Sequence, residues 1–135
     1  MPQLSPKKSR TKEHYNQLAD FEAKSDSYYF KRRAEEMAAF FVGARPDTHI
    51  LNLGAGNGRF SRFLSSRDFS NIVDTDISIL LLKQSQCRKK VLADAENLPF
   101  KKCAFDSVIM TDVIEHLENR KNVLAELFRV LGKMR

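Results

Sequence analysis

Residues 49–76 read HILNLGAGNGRFSRFLSSRDFSNIVDTD. His49–Leu53 is a short apolar run of strand type, and Gly54, Gly56 and Gly58 follow it at once. Arg59–Ser65 then reads as a helix. Asn71–Thr75 is a second apolar run that carries one acid, Asp74, and a second acid, Asp76, follows it directly. A strand, glycine loop, helix and acid-tipped strand make a parallel βαβ unit with a right-handed crossover. Glycine permits backbone angles that a Cβ forbids, and it lets a ligand touch the main chain. In a doubly wound sheet such a loop opens at the carboxyl ends of the strands, where ligands bind.

The loop Gly54-Ala55-Gly56-Asn57-Gly58 has the spacing G-x-G-x-G. The dinucleotide fingerprint is G-x-G-x-x-G, and its third glycine would fall on Arg59. An arginine there crowds the close helix–strand approach, so the spacing argues against NAD or FAD. Asp76 lies about 20 residues past the loop, where a carboxylate accepts hydrogen bonds from ribose hydroxyls. Asp74 is its rival, two residues earlier on the same face of the strand. Either Asp76 or Ser78 also suits the N-cap of the next helix. Asp94, in LADAENLPF, can accept from an exocyclic amine, and the Ala95 N–H can donate to a ring nitrogen. A loop-initiating Asp is the plainer reading of the same residue. Asp112, Glu115 and His116, in TDVIEHL, become neighbours if that stretch turns as a helix.

Working outward, residues 1–12 are rich in Pro, Ser and Lys and read as a disordered basic tail. A helix over about Lys12–Ala23 is expected next. Phe30, Ala34, Met37, Ala38 and Phe41 form an apolar stripe that predicts a helix over Tyr28–Ala44, ended by Gly43 and Pro46. Residues 13–45 thus read as a helical cap and 46–135 as the sheet domain. Within that domain a helix is expected at Ile79–Gln86, with strands at Lys90–Ala93 and Phe105–Met110. A last helix, Arg120–Leu131, shows Val123, Leu124, Leu127, Val130 and Leu131 on one face.

The chain has 135 residues, 42% hydrophobic and 30% charged, which is one globular domain's worth. No apolar run approaches the ~18 residues of a membrane span, and no signal peptide is visible, so no membrane and a cytoplasmic location are expected. Cys87 and Cys103 lack metal-ligand spacing. The net charge is +6, gathered at Lys7–Lys12 and at Arg88–Lys90 with Lys101 and Lys102. No aromatic residues interleave with these groups as a nucleic-acid stacking platform requires, so solvated surface is favoured over nucleic acid.

Taken together, LNLGAGNGRFSRFL, VDTDIS, ADAENLPF and FDSVIMTDVIEHLENRKNVLAELFRVL resemble a class I S-adenosylmethionine-dependent methyltransferase of the type 11 kind. The resemblance covers roughly residues 49–131. It implies an α/β fold, a Rossmann-like doubly wound parallel sheet in the order 3-2-1-4 with N-terminal helices. It implies S-adenosyl-L-methionine as cofactor, with Gly54, Ala55, Gly56, Asn57 and Gly58 along its methionine part and ribose. Asp76 with Ile77 would hold the ribose, Asp94 with Ala95 the adenine, and Thr111 and Asp112 would line the pocket. The N-terminal helix often caps the site in this family, which brings in Tyr28. His116 is the nearby candidate base, though a helix-side packing role fits it as well. Asp112, Glu115 and His116 resemble a metal cluster of small-RNA methyltransferases, but no metal is assigned.

The family pattern continues past "RVL" into further strands, whereas this chain reads Gly132-Lys133-Met134-Arg135 and stops. Missing C-terminal strands, an exposed fourth-strand edge and self-association through it are therefore expected. The expected function is methyl transfer to an unknown acceptor, a small molecule being favoured. The alternatives are a cofactor-binding but weakly catalytic fragment or partner-dependent domain, and a nucleotide-dependent oxidoreductase.

Overall fold

A computed structural model of the chain describes residues 3–24, 28–111 and 113–132. Two N-terminal helices, α1 (Pro6–Lys24) and α2 (Tyr28–Ala38), precede the sheet. Then β1 (Ile50–Leu53), α3 (Arg59–Ser65), β2 (Ile72–Asp76) and α4 (Ile79–Gln84) alternate, followed by β3 (Lys89–Leu92), β4 (Ser107–Met110) and α5 (Arg120–Val130). The four strands are parallel and lie in the order β3-β2-β1-β4. The order reverses direction at β1, so the crevice opens between the carboxyl ends of β1 and β4.

Every residue of β1 is buried, as a central parallel strand covered on both faces requires. Leu51 and Leu53 join Ala93, Leu98, Phe105, Val123 and Val130 on the α5 side. Ile50 joins Leu64, Phe69, Ile72 and Ile109 on the other side, where Met37 and Phe41 cover them. The one polar residue of β1, Asn52, is buried with a partner described below.

Four expectations need correction. Residues 6–12 are not a disordered tail, because α1 is helical from Pro6. The Tyr28–Ala44 helix stops at Ala38 and tightens into a 3-10 turn at Ala39–Phe41, leaving Phe40 exposed. The α5 seam is Val123, Leu127 and Val130, and Leu124 is 46% exposed rather than buried. Finally, Phe105 is not within β4. Its N–H donates to Val130 O at 3.0 Å, and Gly132 N–H donates to Phe105 O at 2.7 Å, so Leu131 starts to pair in parallel with it. The chain therefore returns beside the start of β4, while Ser107–Met110 has no outer strand among the described residues.

The core assignment predicts a sharp contrast. Leu51→Ala should cost about 2–5 kcal/mol by the usual range for buried leucines, whereas Leu124→Ala should stay within about 0.5 kcal/mol. Urea unfolding of the two variants measures both.

Candidate functional site

The site begins with a buried acid. Asp74, on β2, is 0% exposed and accepts three side-chain hydrogen bonds. These come from Asn52 of β1 at 3.1 Å, Ser61 of α3 at 2.9 Å, and Ser85, just past α4, at 2.5 Å. Burial pushes the Asp74 carboxyl above the usual carboxylate range, and these donors pull it partly back. Asp74 thus faces into the domain.

This network also explains one of the glycines. Gly58 has φ +77°, and a Cβ on it would stand 2.7 Å from Asp74 Oδ2 and collide with Ser85 Oγ. At Gly54, φ +69°, the Val113 side chain fills the space of a Cβ. Both positions are therefore demanded by the protein's own packing, which differs from the expectation that the absent side chains make room for a ligand. Neither Val113 nor Ser85 stood out in the sequence, since nothing local marks a partner of a distant glycine.

Asp76 is the last residue of β2 and lies one step beyond Thr75, the partner of Leu53. It is 8% exposed. Its Oδ2 accepts from the Gly56 N–H at 2.7 Å and its Oδ1 from the Ser78 N–H at 2.8 Å. Burial raises its carboxyl as well, against the lowering effect of those two amides. Ser78, not Asp76, caps α4 by accepting from Leu81 N–H. Asp76 is thereby tied to the middle of the glycine loop at the strand tip, and Ala55, Asn57 and Ile77 flank it half-buried.

Asp94 follows β3 at the same end of the sheet and is also 8% exposed. Its Oδ1 accepts from Glu96 N–H at 3.0 Å, and its Oδ2 takes the Lys8 ammonium at 2.7 Å. Glu96 pairs with Lys8 through Oε2, while its Oε1 is buried with no hydrogen-bond partner among the described residues. A buried acceptor without a donor is uncommon. Sequence reading missed Glu96, and an acid two residues after another carries no local signal.

On the β4 side, Thr111 is half-buried. Asp112 lies outside the described residues, and only the backbone of Tyr28 and of Glu115 is described. The expected helical turn is a 3-10 turn at Ile114–His116, which leaves His116 exposed. A cavity of about 450 Å³ runs beside β4, walled by Met37, Phe40, Phe41 and Phe60 and bordered by Arg33, Glu36 and Thr111. That volume lies within the ~300–1,000 Å³ range of small-molecule sites.

Residues 51–133 match a family described as a methyltransferase domain. Among curated proteins, the chain is 32% identical over 121 residues to the ubiquinone/menaquinone biosynthesis C-methyltransferase UbiE of Wigglesworthia glossinidia brevipalpis, over 78% of this chain and 47% of that protein. Against the solved PH0226 protein of Pyrococcus horikoshii OT3 the TM-score is 0.67 at 28% identity, over 79% of this chain and 55% of that one. Against an S-adenosylmethionine-dependent methyltransferase of Mesorhizobium loti the TM-score is 0.59 at 20% identity, over 64% and 43%, a likeness of fold. The chain thus spans about half the length of these relatives.

The raised Asp74 carboxyl makes a signed prediction. Its folded form holds a proton more tightly than its unfolded form, so its contribution to stability is full below the ordinary value of ~3.9. That contribution is lost as pH rises from there through the folded value. Urea unfolding against pH should show the stability difference, wild type minus Asp74→Asn, falling across that window. A difference independent of pH would contradict the assignment.

Proposed function

The chain belongs to the methyltransferase domain family, whose methyl donor is S-adenosylmethionine, and on that premise we propose that the crevice at the carboxyl ends of the strands holds the cofactor, its nucleoside toward β2 and β3, for methyl transfer to a small-molecule acceptor. The observation that carries this reading is Asp76. It is a nearly buried carboxylate at the strand tip, bonded to the glycine loop, where a ribose needs a double acceptor. The residues present fit the group. Asp94 supports the amine end, and the orphaned Glu96 Oε1 offers an acceptor that wants a donor.

In this reading the Gly54–Gly58 loop lies along the methionine part and ribose. Asp76, with Ile77 beside it, meets the ribose hydroxyls, Asp94 and the Ala95 N–H meet the adenine, and Thr111 lines the β4 side. When bound, the cofactor supplies an electrophilic sulfonium methyl. The protein's task is then alignment, since proximity and orientation provide most of the rate in such a transfer. The cavity beside β4 is the proposed acceptor side, because it adjoins Thr111 and pairs a wall of Met37, Phe40, Phe41 and Phe60 with the polar Arg33 and Glu36. His116 is the candidate base for an acceptor that must lose a proton. The comparisons give a nucleotide-dependent oxidoreductase no support.

A second reading is favoured by the open Ser107–Met110 edge, which borders that same cavity. Unpaired strand edges attract another strand. Here the chain binds cofactor well but turns over slowly until a second copy or another partner completes the acceptor side.

Asp76→Ala should weaken S-adenosylhomocysteine binding by roughly 10- to 150-fold, the equivalent of about 1.5–3 kcal/mol for a lost charged acceptor. Isothermal calorimetry on the folded variant checks this, and unchanged affinity would overturn the assignment. Self-association through the β4 edge should appear as a concentration-dependent mass in sedimentation velocity. A monomer at every concentration would remove the second-copy reading.

A further inference from the structure

The first half of α1 has little apolar surface to bury. Pro6–Glu13 contains Lys7, Lys8, Arg10 and Lys12 and no aliphatic side chain other than proline. Polar contacts tie residues 5–16 down at three points. Ser5, just before the helix, meets Glu118 on the segment after β4; Lys8 meets Asp94 and Glu96 after β3; and Asn16 meets Ser78 after β2. These are the same strand ends from which the candidate site is built, so α1 lies across its nucleoside side.

Lys8 is the informative attachment. Its ammonium stands 2.7 Å from Asp94 Oδ2 and also pairs with Glu96, and all three side chains are largely withdrawn from water. The other Asp94 oxygen is already engaged by the Glu96 amide. Each carboxylate oxygen therefore already accepts one hydrogen bond within the protein. An ammonium and the exocyclic amine of a purine are both N–H donors and ask for the same oxygen. The ammonium and such an amine would compete for Oδ2, the Asp94 oxygen that the Glu96 amide leaves free.

We propose that α1 is an autoinhibitory strap, latched by Lys8 onto Asp94 and Glu96, and that an adenine nucleoside must displace this latch to bind. The inference rests on the reading of Asp94 as the adenine acceptor. The latched population is unavailable to ligand, so apparent affinity falls by the fraction that is open. Ligand binding and α1 docking then oppose each other, and either one weakens the other by the same factor.

The test compares the wild type with Lys8→Ala, using S-adenosylhomocysteine as the probe. Calorimetry should show the variant binding about three- to tenfold tighter, the scale expected when a partly buried ion pair no longer competes. Hydrogen exchange of residues 6–13 should be faster in the ligand-free variant, and faster in the wild type once the probe saturates it. Alanine is a better helix former than lysine, so faster exchange cannot arise from the substituted residue's own preference. Equal or weaker binding by Lys8→Ala overturns the latch and leaves the functional reading standing. So does greater protection of α1 when the wild type is saturated. Absence of binding by both proteins overturns the functional reading and the latch with it.

Discussion

The Asp74 carboxylate, sealed between β1, α3 and the end of α4, is the interaction that sets the geometry of the site. Its three donors come from three separate elements, Asn52, Ser61 and Ser85. Each bond fixes one element against β2. Together they set how close α3 comes to the sheet and therefore require a residue without a Cβ at Gly58. A buried carboxyl is expensive without hydrogen-bond donors, and here both of its oxygens have at least one. Asp76 follows two residues later on the strand so fixed. It is held at the tip by the Gly56 and Ser78 amides, while its neighbour is held inside.

The two acids show what local sequence can and cannot reveal. Both occupy one strand, two residues apart, and periodicity puts them on one face. What separates them is the identity of partners 11 to 22 residues away for Asp74 and the loop amide 20 residues away for Asp76. The alternation of apolar runs made β1, β2 and the α3 bounds legible, because those two central strands are mostly buried, whereas the strand order followed only from the family resemblance. The α1 segment failed for the opposite reason. A run of lysines with no apolar stripe reads as solvated tail, and the carboxylates that order it, Asp94 and Glu96, lie more than 80 residues away. The α5 face was misjudged at Leu124 because its helical position borders the buried seam, and only packing against the sheet decides such a border residue.

The two edges of the sheet are handled differently. The β3 edge exposes Lys89 and Lys90, charges that discourage pairing with another strand. The β4 edge has no such guard along Ser107–Met110, and the cavity lined by phenylalanines opens beside it. On α5 the side chain of Phe128 is 80% exposed as well. The proposed nucleoside side of the crevice thus carries its strand-end acceptors and is covered by α1, while the β4 side has no outer strand among the described residues. Cofactor binding and turnover need not stand or fall together in such a molecule, since one depends on strand-end acceptors and the other on how an acceptor is positioned.

A crystal structure of the chain with S-adenosylhomocysteine tests the central claim most directly. The account predicts the ribose hydroxyls on Asp76 and the adenine amine on Asp94, with the Asp74 network unchanged beneath them. Ligand density in the cavity beside β4, with Asp76 still bonded only to Gly56 and Ser78, would contradict it.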